Sequence, residues 1–253
     1  MTRLALRYLL LSVLILSGCS QTTQFEQSHT SDKGTTTLPS NVQRWLAESL
    51  PSEPITNKPA MLEQKGEIYV RDKWLPFNAS SRYSKNLENF QWDASIKVAF
   101  GVWVNAEDGH NQSEGWGGAK MWGVIPLGGL RGKQVHQMQV SRSLAELAWN
   151  PQIVQTTSGI TWANTGPSSF SATKKIGEDS VTVNFELNQA NEVIRAAGNR
   201  FIEVDDTFKE MQWDYKFANH TAINGIKIPL NAVATYYKPE GPWEYFRVTI
   251  TSN

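Results

Sequence analysis

The sequence predicts a mainly β domain with a few helices: a curved antiparallel sheet, or an incomplete β-barrel, closed by short helices on its concave side. Two observations lead there. Over several long stretches apolar residues alternate with polar ones, the period of a strand with one buried and one solvated face. Turn signals separate these stretches at the spacing of meander connections, and about ten strands are expected on that basis. Only two segments of the folded region show helical spacing instead.

The first helical segment is Pro39 to Leu50, with Ser40 as the expected N-cap and Val42, Trp45, Leu46 and Leu50 on one face. Pro51 and Pro54 end it. A strand is then expected in which Ile96, Val98, Phe100, Val102 and Val104 share a face, with Ala99, Gly101 and Trp103 opposite. The second helix is expected from Val140 to Trp149 and is stopped at Asn150-Pro151. Alternation returns in Val181, Val183, Phe185 and Leu187, and again in Met211, Trp213, Tyr215 and Phe217. Asn224-Gly225 marks a hairpin, and Pro239 to Pro242 turns the chain into a last strand through Trp243, Tyr245 and Arg247.

The start of the chain follows a different plan. Arg3 and Arg7 precede an apolar run, Tyr8 to Leu16, that ends in small residues, the order of a secretory signal. A membrane-spanning helix would need about 20 apolar residues, and the run is shorter. Its end, Leu16-Ser17-Gly18-Cys19, resembles the lipobox of bacterial lipoproteins. The resemblance implies a signal peptide over residues 1–18 and a lipid on Cys19 as the first mature residue. Cys19 is the one cysteine of the chain, so it has no internal disulfide partner. Each buried methylene of an acyl anchor contributes about 0.8 kcal/mol, so two or three chains hold a protein on a membrane. Ser20 stands where an aspartate resembles an inner-membrane retention signal, which favours an outer-membrane address facing the periplasm. Residues 19–38 are polar and are expected to form a flexible tether to a single globular domain, residues 39–253.

Removing Arg3 and Arg7 from the 24 basic residues leaves 22 against 24 acidic ones, with no long run of either sign. That balance argues against a nucleic-acid partner, which calls for a basic patch. Ten tryptophans are unusual for this length. They can fill a sheet core or line a groove.

Several short motifs resemble, in order, an uncharacterised bacterial domain family of unknown function. They are Trp74-Leu75-Pro76-Phe77-Asn78-Ala79, Phe90-Gln91-Trp92-Asp93-Ala94 and Arg142-Ser143-Leu144-Ala145-Glu146-Leu147-Ala148-Trp149-Asn150-Pro151, followed by Asn199-Arg200, Trp213-Asp214-Tyr215, Gly225-Ile226-Lys227-Ile228-Pro229 and Pro242-Trp243. The match runs from about Leu38 to the end. Ser143 departs from it, standing where an aromatic is common, as does the longer and more acidic Asn105 to Gly118 segment. The architecture the resemblance implies is similar to the LolA/LolB lipoprotein carriers, an incomplete barrel closed by helices around an apolar cavity. A shared fold does not fix a shared function.

Arg142 and Glu146 lie four apart and so share a helix face. The pair either clamps helix to sheet, the favoured reading, or orients a ligand head group; Arg before Glu is the weaker order for an exposed pair, which points to a further partner. Trp149 on the same helix is expected in the core. Glu107, Asp108, His110 and Glu114 lie among glycines, but their order is not a calcium loop and one histidine makes no transition-metal set, so no metal is expected there. A solvated loop is expected instead, with Gly115, Gly117 and Gly118 allowing a tight turn. No Gly-x-Ser-x-Gly elbow, His-Glu-x-x-His or paired cysteine is present, and no cofactor is implied. His136 and His220 are placed beside or within strands.

Three functions remain open. The first is a tethered binder of an apolar ligand, a lipid or a lipoprotein acyl chain, with Trp92, Trp103, Trp122, Trp162 and Trp213 as candidate cavity lining and Arg142, Glu146 and Trp149 as the adjoining helix face. The second is an envelope interaction protein with a filled core and an exposed strand edge. The third is a hydrolase with a dispersed Ser/His/Asp site.

Overall fold

A computed structural model describes residues 38–52 and 60–252. The expected signal peptide, Cys19 and all of the tether but Leu38 lie outside the described residues. Thirteen strands form one sheet in the order β6-β5-β4-β3-β2-β1-β13-β12-β11-β10-β9-β8-β7. The first meander is β1 (Ala60–Val70), β2 (Lys73–Tyr83), β3 (Phe90–Ala99), β4 (Val102–His110), β5 (Gly115–Met121) and β6 (Ile125–Arg131). The second is β7 (Ile160–Gly166), β8 (Ser169–Ile176), β9 (Asp179–Leu187), β10 (Val193–Val204), β11 (Thr207–Ile223), β12 (Ile226–Lys238) and β13 (Gly241–Ser252). Antiparallel pairing of β1 with β13 joins the two. Among the described residues β6 and β7 are unpaired edges, so the curled sheet is a half-barrel, as the sequence predicts.

The helices lie in the gap and on the concave face. α1 (Ser40–Ser49) precedes the sheet; α2 (Lys133–Ala145), a 3-10 turn (Glu146–Trp149) and α3 (Pro151–Val154) connect the two meanders. α2 packs on β4, β5 and β6 from one meander and on β8, β9 and β10 from the other. Gly115 makes this approach possible, since a Cβ there would lie 2.5 Å from the His136 Cα; one on Gly117 would lie 2.8 Å from Asp108 Oδ1 of the neighbouring strand. α1 buries Val42, Trp45 and Leu46, with the Trp45 ring 5.5 Å from Phe170 and 6.2 Å from Phe185.

Several local expectations are corrected. Ser40 is the first helical residue, preceded by Pro39, and its hydroxyl accepts from Asn164 instead of capping the helix. The expected strand through Ile96 and Val104 is a hairpin that turns at Phe100-Gly101. A bulge sets Lys97 opposite Trp103 and Ala99 opposite Val102. Its extra residue restores the alternation across the turn, so the sequence reads as one strand. The Asn105–Gly118 segment is two strands with their turn at Asn111–Glu114, because the Asn111 side chain accepts from the backbone of Ser113 and Glu114. Gly115, Gly117 and Gly118 therefore lie on β5 beyond the turn, where Gly115 serves helix packing. The second helix begins at Lys133, seven residues before Val140, which places His136 on α2. The α-helix ends at Ala145 and the 3-10 turn carries the chain on to Trp149, the expected end, after which Pro151 opens α3 at its first position. The Asn224-Gly225 turn stands as predicted, both residues at positive φ (50° and 81°).

In an antiparallel meander successive turns alternate between two ends. Turns 84–89, 111–114, 167–168, 188–192 and 224–225 fall at one end, with turns 71–72, 100–101, 122–124, 177–178, 205–206 and 239–240 at the other. α1 sits at the first end: the Asn41 side chain donates to the carbonyls of Gly166 and Ser169, and Pro51 lies against Gly225. That is the closed end. The inward row Tyr83, Phe90 and His110, nearest to it, is fully buried. The rows grow more exposed toward the open end, where Ile68, Leu75, Val102, Val104 and Met121 are half-buried and Ile125 is exposed.

Candidate functional site

The closed end holds a buried charge network under α2. Arg142 is 6% exposed and Glu146 is fully buried. Arg142 Nε donates to Glu146 Oε1 and Nη1 to Asp108 Oδ2, each at 2.8 Å. Glu146 also accepts from the hydroxyls of Tyr83 and, at 3.3 Å, Tyr215. The guanidinium lies 4.5 Å from the Trp92 ring, 5.4 Å from Phe90 and 5.7 Å from Phe246. Burial opposes its charge, but Glu146, then Tyr215 and Asp108, outweigh burial and hold Arg142 above its ordinary pKa. Burial first, then Glu146, raises Tyr83 and Tyr215, so both keep their protons and donate. This is the clamp reading of the pair, with Asp108 as the further partner that the Arg-before-Glu order asks for. Among the described residues Arg142 Nη2 has no hydrogen-bond partner.

A second buried cation, Arg200 of β10, has no carboxylate among its hydrogen-bond partners. Nε donates to the Met138 carbonyl at 3.1 Å and Nη1 to the hydroxyls of Tyr236 (2.5 Å) and Tyr245 (3.4 Å). The Trp213 indole donates to that same Tyr245 hydroxyl at 2.9 Å, and its ring lies 5.2 Å from the Arg200 guanidinium. The sequence marks Asp108 only within an acidic segment and Arg200 only within the Asn199-Arg200 motif, neither as a partner of α2. Asp108 could have been found by extending the alternation of Val102, Val104 and Ala106, which turns it inward.

Ser143 and His110 meet at 2.8 Å, the one part of the hydrolase expectation the fold brings together. Ser143 is fully buried and also bonds the Val140 carbonyl at 3.1 Å, and the other His110 nitrogen faces the Asn111 carbonyl, not a carboxylate. Burial, then the Lys174 charge, pushes the His110 imidazole down to about 3, so it is neutral. Among the described residues no three metal-ligating side chains converge.

The tryptophans expected to line one cavity are not brought together. Trp92 is buried beside Arg142, its indole donating to Gln64 at 2.9 Å. Trp213 is buried beside Arg200, and half-buried Trp162 packs on Phe170. Trp149 is core, donating to the Pro229 carbonyl at 2.9 Å. Trp103 and Trp122 are 45% and 43% exposed at the open end, because Trp103 points out from β4 and Trp122 lies in the β5–β6 turn. Several clefts carry polar side chains, and one of them borders α2 through Gln137 and Ser141. One of 530 Å³ lies on the outer face of β1–β5 among Glu63, Asn78, Asp93, Asn105 and Lys120, and one of 340 Å³ opens where β9 and β10 part beyond Asn184 and Ala197. The apolar surface available to a ligand is the concave lining beyond α2, formed by Ile68, Leu75, Val102, Val104, Met121 and Ile125.

Residues 36–252 match the model of a family of unknown function (DUF6920), and the chain belongs to that family. The structure is similar to the crystal structure of LolA superfamily protein NE2245 from Nitrosomonas europaea, with a TM-score of 0.46 and 13% identity over 83% of this chain and 91% of that one. No curated protein matches the sequence.

Proposed function

We propose that this protein is a lipid-anchored protein of the bacterial outer membrane, facing the periplasm, that holds the acyl chain of a lipid or lipoprotein in the open end of its half-barrel. The supporting observation is the concave lining. Its apolar residues continue past the last helix that covers them, and a concave apolar surface left open to solvent gains by taking up another apolar chain. The anchor rests on the Leu16-Ser17-Gly18-Cys19 sequence. A solid interior beneath α2, together with the unpaired edges of β6 and β7, supports a second reading as an envelope interaction protein.

The test is native mass spectrometry, with lipid extraction, of the full chain purified from a bacterial envelope. The expected result is a chain beginning at a diacylated Cys19 with co-purified acyl lipid, and loss of that lipid in Val104→Glu. A ligand-free mass that added lipids do not change would move the reading to the interaction protein. A mass retaining residues 1–18 would remove the anchor.

A further inference from the structure

Six described hairpin turns meet at the open end, and they differ in kind. Arg71-Asp72, Gly177-Glu178, Asp205-Asp206 and Pro239-Glu240 all carry charge, as expected where turns face water. The two turns of adjoining hairpins, Phe100-Gly101 and Trp122-Gly123-Val124, carry none. Phe100 is 100% exposed and Val124 74%, with Trp103, Trp122 and Leu127 each more than two-fifths exposed beside them. An apolar cluster of this kind on a protruding tip marks an interaction surface.

The tips are tied to each other. The Trp122 indole donates to the Gly101 carbonyl at 3.1 Å and its backbone N–H to the Trp103 carbonyl at 3.1 Å. Trp122 and Gly101 both take positive φ, 52° and 69°, to make this contact. Charge is one-sided as well. From Ala94 to Ala106 and from Gly115 to Arg131 there is no carboxylate. Lys97, opposite Trp103, and Lys120 flank the tips, and neither has a salt-bridge partner among the described residues.

We propose that the joined tips of the β3–β4 and β5–β6 hairpins dock into the surface of an anionic lipid bilayer. Tryptophan and phenylalanine sit at the headgroup level, and lysine stems lie along the apolar layer while their ammonium groups reach anionic phosphates. A fully exposed phenylalanine at a tip flanked by two lysines fits a bilayer better than a protein groove. The acidic turns at 178, 205–206 and 240 keep the far rim off the same surface, so the protein tilts onto β3–β6. This surface is distinct from the concave lining and does not depend on what that lining holds.

The test uses the full chain, reconstituted on phosphatidylcholine vesicles with or without phosphatidylglycerol. An environment-sensitive fluorophore is placed through Phe100→Cys and, separately, through Glu240→Cys; wild type labelled the same way supplies the Cys19 blank. Both positions lie in exposed turns, so folding is kept, and unchanged circular dichroism checks it. The expected result is a blue shift and severalfold brightening at position 100 with phosphatidylglycerol, reversed by high salt and by Lys97→Glu/Lys120→Glu, with no change at position 240. An equal response at both positions, no response at position 100, or a response without vesicles that grows with protein concentration would each overturn the proposal, the last in favour of a second copy of the chain.

Discussion

The two ends of the half-barrel are lined by the same alternation of inward apolar residues, yet only one is finished. At the closed end α1, α2 and the 3-10 turn cover the lining, and polar groups are buried with partners: Arg142 with Glu146 and Asp108, Tyr83 and Tyr215 with Glu146. At the open end the rows from Ile68 to Ile125 have no helix over them, and the apolar surface reaches solvent. Stability is therefore concentrated at one end, and freedom to bind at the other.

The largest effect expected from breaking that division is at Arg142. Arg142→Met leaves Glu146 buried and unpaired, and equilibrium urea unfolding should show a loss of about 3–5 kcal/mol. Adding Glu146→Gln removes the stranded charge and should recover a measurable part of it. Trp149→Ala, which empties a fully buried site and frees the Pro229 carbonyl, should cost about 3–5 kcal/mol in the same assay.

A smaller effect follows from pH. The folded protein keeps His110 neutral down to about 3, whereas the unfolded chain takes up that proton near pH 6.5. The stability His110 contributes is thus complete above that pH and is lost as pH falls, by about 1.4 kcal/mol per pH unit for one proton. His136, lowered chiefly by burial, acts in the same direction. Unfolding curves between about pH 6.5 and pH 5 should show this slope, and His110→Gln should flatten it. The smallest stability effect belongs to the open end: Met121→Ala should cost under about 1 kcal/mol, since its side chain is only half-buried. It should nonetheless weaken retention of an acyl ligand. A large stability loss there would mean that the open end is core as well.

How much of this was legible follows from which interactions are local. Val181, Val183, Phe185 and Leu187 announce β9 because one face is solvated, and Asn224-Gly225 announces its turn because both residues tolerate positive φ. Phe100-Gly101 hides its turn, since an apolar residue stands at the tip and the bulge preserves the alternation around it. The Arg142–Glu146 pair was readable from helical spacing. Alternation along β4 turns Asp108 inward, but that Asp108, Tyr83 and Tyr215 meet at this pair was not readable, because they come from three strands that only the sheet order brings together. Residue type does not separate the buried positions of Trp92 and Trp213 from the exposed ones of Trp103 and Trp122, whereas helical spacing places Trp149 in the core, where it lies.

The most direct measurement is cross-linking of the full chain with a photoactivatable fatty acid, the modified residues being located by peptide mass spectrometry. The account predicts cross-links at the open end, on β1, β2, β4 and β5 around Ile68, Leu75, Val104 and Met121, and none on α2. Cross-links confined to α2 or to the cleft between β9 and β10, or none above a dark control, would contradict it.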